Sequence, residues 1–84
     1  MAIEPNTRGS NPAENAAAVT PHDSNDLTNV ARALYIGGTG NVKVDTAAGD
    51  TVTFYAAPVG AIIPVRVKRV YSTGTTATNI TSIF

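Results

Sequence analysis

Eighty-four residues with six Lys and Arg against six Asp and Glu make one small domain of zero net charge, too short for a second core and without the basic surplus that phosphate neutralisation of nucleic acid demands. With no Cys and one His, His22, the chain lacks the means for a disulfide scaffold, a thiolate zinc site, a thiol nucleophile or a multi-histidine relay. No apolar stretch approaches the roughly 18 residues that a membrane span needs, and residues 1–5 do not open a basic and then apolar leader, so a soluble, unsecreted chain that contacts neither nucleic acid nor membrane is expected.

Residues 1–29 read as an extended polar arm. Their only large apolar side chains are Met1, Ile3, Val19 and Leu27, too few to offset the entropy of ordering the segment. Arg8 stands there against Glu4, Glu14, Asp23 and Asp26, a net charge of −3. Residues 21–29 suit a turn or one helical turn with Asp23 or Ser24 as cap. His22-Asp23-Ser24 supplies the three residue types of a hydrolase triad, but consecutive residues do not readily set a base between nucleophile and carboxylate. A capped turn is expected instead.

Residues 30–84 form the body. Its apolar residues recur with period two: Val42 and Val44 alternate with Lys43 and Asp45, Val52 and Phe54 with Thr51 and Thr53, and Ile63, Val65 and Val67 with Pro64, Arg66 and Lys68. That is the signature of half-buried strands, expected over 31–37, 41–45, 50–57, 62–72 and 77–83. Val70 falls out of phase with Val65 and Val67, which predicts a bulge near Lys68 and Arg69. Pro64, lacking an amide hydrogen, belongs on an edge or at the start of pairing. The predicted fold is all-β, a small sandwich or barrel.

The Gly37-Gly38-Thr39-Gly40 cluster precedes a strand rather than a Lys-bearing helix, so it reads as a strand connection and not as a phosphate loop. Asp45 and Asp50 flank a turn but supply too few oxygens for a calcium loop. No cofactor or metal is expected. Arg66, Lys68 and Arg69 form the densest basic cluster, read either as a solvated edge that resists aggregation or as a contact for an acidic protein surface or an anionic polysaccharide. The body carries Arg32, Lys43 and these three against Asp45 and Asp50, a net charge of +3. Arm and body are thus oppositely charged, either as two solvated surfaces or with the arm of one subunit on the body of its neighbour.

The segments Val19-Thr20-Pro21-His22-Asp23-Ser24-Asn25-Asp26-Leu27, Ala31-Arg32-Ala33-Leu34-Tyr35-Ile36-Gly37-Gly38, Gly49-Asp50-Thr51-Val52-Thr53-Phe54, Ile63-Pro64-Val65-Arg66-Val67-Lys68-Arg69-Val70 and Thr73-Gly74-Thr75-Thr76-Ala77-Thr78, in that order, resemble the small head spike base proteins of gene transfer agents and related tailed phages. The resemblance covers roughly residues 19–84. It implies a virion component on the capsid head surface rather than an enzyme, set at five-fold vertices and carrying a spike or fibre that attaches the particle to the host cell. The implied partners are the major capsid protein and the spike fibre protein. The expected assembly is a homo-oligomeric ring, pentamer favoured over trimer, joined through the arm and strand edges. Two rivals stand beside this reading: a decoration or cement protein that clamps capsomers, and a carbohydrate-binding module for host polysaccharide.

Overall fold

The computed structural model describes residues 13–84. Over that range the chain forms seven strands: β1 (Ala16–Ala18), β2 (Ala33–Tyr35), β3 (Gly40–Thr46), β4 (Thr51–Ala57), β5 (Ile62–Ile63), β6 (Val67–Val70) and β7 (Thr81–Ile83). They make two antiparallel sheets, one ordered β1-β7-β2-β5 and the other β4-β3-β6. The expected all-β class is therefore observed, as a small two-sheet sandwich. Leu34, Ile36, Val42, Val44, Val67 and Val70 are fully buried and fill the space between the layers.

The β3–β4 hairpin follows directly from the alternating pattern. Val42 pairs with Phe54 and Val44 with Val52 on the core side, while Lys43 opposite Thr53 and Asp45 opposite Thr51 take the outer face. Thr46 closes the turn: its N–H donates to the Asp50 carbonyl (2.8 Å), its carbonyl accepts from Gly49 N–H (2.9 Å), and its hydroxyl accepts from Asp50 N–H (3.1 Å). Gly49 sits at φ 100°, where a side chain would be strained.

Three strands differ from the sequence reading, the first being β1, which it does not predict. The long strand expected over 62–72 is two strands in different sheets, because the chain crosses between layers at residues 64–66, where Pro64 has no N–H to continue a ladder. The strand expected over 77–83 is regular only at Thr81–Ile83, with Thr78 making an isolated bridge to Gly38. The expected bulge is present: Asp45 pairs with Arg69 and Thr46 with Val67, leaving Lys68 as the extra residue.

The glycine cluster serves close approach as well as connection. A Cβ at Gly37 would meet the Asn79 carbonyl oxygen, one at Gly38 the Thr78 hydroxyl, and one at Gly40 the backbone of Thr76 and Ala77. Bare backbone here lets the crossing from β2 to β3 lie against residues 76–79.

Candidate functional site

A small sandwich has four sheet edges, and an edge with unpaired N–H and C=O groups is a template for another chain unless something covers it. Here the edges are treated unequally. On the outer edge of β6, residues 22–31 form a strap: His22 N–H donates to the Val70 carbonyl (2.9 Å), Leu27 N–H to the Lys68 carbonyl (2.7 Å), and Ala31 exchanges two bonds with Val67 (2.9 and 3.1 Å). On the β6 side of β3, beyond the end of β6, Tyr71 N–H donates to the Lys43 carbonyl (2.8 Å). Threonine hydroxyls then accept the next amides, Thr75 from Lys43 (3.0 Å) and Thr76 from Asn41 (2.8 Å). Those hydroxyls do the work of a missing strand.

Charge fastens the strap. Arg69 Nε donates to Asp26 Oδ1 at 2.8 Å, and the Asp26 carboxylate beside it favours the charged guanidinium further. The Asp23 carboxylate accepts from Thr73 N–H (2.7 Å) and the Thr73 hydroxyl (2.6 Å). Those bonds, the hydroxyl foremost, hold Asp23 below the ordinary carboxylate range. Under Arg69, the buried Asp45 accepts from the Thr51 hydroxyl (2.5 Å) and the Tyr71 hydroxyl (2.8 Å). It too is held low, chiefly by Thr51 and then by Tyr71. The Tyr71 ring lies beneath the Lys43 ammonium at 4.9 Å and the Arg69 guanidinium at 5.7 Å.

This network locates the residues that the sequence singled out. His22, not Asp23 or Ser24, caps its turn: Nδ1 accepts from the N–H groups of Ser24 (3.0 Å) and Asn25 (3.2 Å). Asp23 faces away toward Thr73, so His22-Asp23-Ser24 does not have the geometry of a triad. Asp45 is committed to Thr51 and Tyr71, while Asp50 lies exposed after the turn. Among the described residues no group of three or more His, Asp or Glu converges where a metal ion would be held. Of the basic cluster, Arg69 is engaged within the chain, Arg66 is exposed and Lys68 half-buried in the bulge.

Besides the two-residue β5, two edge strands are left uncovered among the described residues. One belongs to β1, whose three alanines are all exposed. The other is β4, seven residues without a charge, Thr-Val-Thr-Phe-Tyr-Ala-Ala. Val52 faces the core side yet is 40% exposed. Tyr55 on β4 and Val59 in the loop after it are exposed too, while Tyr35 and Ile62 form an exposed cross-strand pair on the outer face of the other sheet. Sequence reasoning did not single out these residues, since Val52 and Phe54 carry the same alternation as Val42 and Val44 of the covered strand β3.

An uncharged strand edge with unpaired backbone groups and exposed apolar side chains is a surface suited to assembly with another chain. No protein-family profile matches the chain, and no curated protein matches it. Among solved structures it is similar to a chain of the capsid of a native gene transfer agent (GTA) particle computed with C5 symmetry, at 37% identity and a TM-score of 0.80, over 89% of this chain and 87% of that one. The chain belongs to the family of that gene transfer agent capsid component, and its role is that of a structural protein of the virion.

Proposed function

We propose that this protein is the base of a head spike: a homo-oligomeric ring, five copies in number, seated on the major capsid protein at the five-fold vertices and holding a spike fibre that attaches the particle to the host cell surface. The observation that carries the reading is the 37% identity, across nearly the whole domain, to a capsid chain computed with C5 symmetry. The unequal edges support it. A cyclic ring without two-fold axes uses two different surfaces on each subunit, and an open β4 edge and an open β1 edge are two such surfaces. Arg66, exposed at the start of β6, and Lys68 beside it supply a basic contact for the capsid, while Arg69 is occupied by Asp26.

Copy number tests this directly. A vertex base is scarce and a cement protein is abundant, so quantitative mass spectrometry of purified particles should give at most five copies per vertex. A ratio near one copy per major capsid subunit would replace the spike base with a cement protein.

A further inference from the structure

We infer that copies of this chain join head to tail by strand addition, the β4 edge of one copy pairing with the β1 edge of the next, so that sheets continue from subunit to subunit. The inference rests on the ring reading above and specifies its interface.

Backbone direction alternates along a strand, and the bonds around β3 fix it. Asn41 and Lys43 turn their carbonyls toward residues 71–77, so Val42 and Val44 turn theirs toward β4, where they oppose Phe54 and Val52. The N–H and C=O groups of Thr51 and Thr53 therefore point outward, and no described strand meets them. On the other sheet, Asn15 exchanges bonds with Phe84 (2.7 and 2.8 Å) and Val19 N–H donates to Ile80 (2.9 Å). The same alternation turns Ala16 and Ala18 outward. Each open edge is an uncharged strand without lysine or proline, and among the described residues no segment covers it.

The two edges are separate surfaces of one molecule: β4 ends the three-stranded sheet, and β1 ends the four-stranded sheet at the side away from β5. The two surfaces also differ in shape and chemistry. β4 projects Tyr55, 77% exposed, with Val59, 64% exposed, in the loop after it, whereas beside β1 lies a hollow of about 220 Å³ whose lining is more polar than apolar and includes Thr20, Asp26, Asn29 and Ser82. Two different surfaces on one molecule make a head-to-tail contact, which closes into a ring when the rotation allows. An added strand would also cover part of Val52, exposed, and Phe54, half-buried, the core-side residues of β4. Pairing β4 with β4 would instead create a two-fold axis, which a five-fold ring does not contain.

The absence of native Cys makes the test clean. Ala18→Cys and Thr53→Cys are introduced singly and together, and treated with a short bismaleimide both as purified chain and on particles. The double variant should give a ladder of linked copies ending at a closed ring, with neither single variant giving more than background. Pairs linked by Thr53→Cys alone, or no ladder in either setting, would overturn the inference. A second variant, Thr53→Pro, removes an N–H that no described strand of its own chain uses. It should remain a folded monomer with the melting temperature of the unassembled parent; assembly at the parent's concentration dependence would overturn the proposal. Rings that form by this ladder yet are absent from vertices would refute the spike base reading and leave the edge pairing standing.

Discussion

The two outer edges of the three-stranded sheet contrast within 84 residues. Along β6, polar residues from 22–31 supply backbone donors and two carboxylates, and the core side of that strand is sealed: Val70 is 1% exposed. Along β4 nothing described supplies a donor, and the equivalent core-side valine, Val52, is 40% exposed. The difference teaches that a segment too polar to build a core can still complete one, by occupying an edge rather than by burying apolar surface. It also shows which edge the described residues leave without a cover.

The sharpest way to break the comparison is to truncate the two valines. Each CH₂ buried is worth about 0.8 kcal/mol and an unfilled cavity adds to the loss. Val70→Ala should therefore cost about 2–3 kcal/mol and Val52→Ala below about 1 kcal/mol in the isolated chain. Denaturant midpoints at unchanged slope would check this. Equal losses would mean that β4 is as well covered as β6.

Two glycines at positive φ sharpen it next. Gly74, at φ 95°, belongs to the loop beside β3 and would place a Cβ 3.1 Å from the Lys43 side chain; Gly60, at φ 85°, lies in the loop after β4 with nothing within 4 Å. Backbone strain of about 1–2 kcal/mol is common to both. Gly74→Ala should lose more stability than Gly60→Ala because the Lys43 side chain must also move, as paired thermal melts would show.

The smallest effect is the titration of the strap. Asp23 has its folded-state pKa depressed by Thr73, so its stabilising contribution is complete above the unfolded value of about 3.9. That contribution is lost as pH falls through the lower folded value. Stability of the parent should fall more steeply with pH below about pH 4 than that of Asp23→Asn, which does not titrate. In hydrogen exchange at acid pH, the amides of His22 and Leu27 should lose protection before those of the β3–β4 hairpin.

Much of the body was legible because alternation reports burial directly. Val42 to Asp45 and Thr51 to Phe54 specify the hairpin, and the phase slip before Val70 marks the bulge at Lys68. β1 was not legible, since three alanines carry no period and little apolar area. Neither was the division of 62–72, because Ile63, Val65 and Val67 keep one phase while the chain passes from one sheet to the other. The role of Arg69 escaped for a different reason. Its partners Asp26 and Asp45 lie far away in sequence, and only the fold brings them to either side of one guanidinium. A virion role came from ordered resemblance along the chain. The open β4 edge emerged only from knowing which strand lacks a neighbour.

The most direct test of the account is an image of the intact particle reconstructed without imposed vertex symmetry, with this chain tagged. The account predicts tag density confined to the five-fold vertices, in a ring beneath the spike. Density at three-fold positions, or spread evenly over the capsomers, would contradict it.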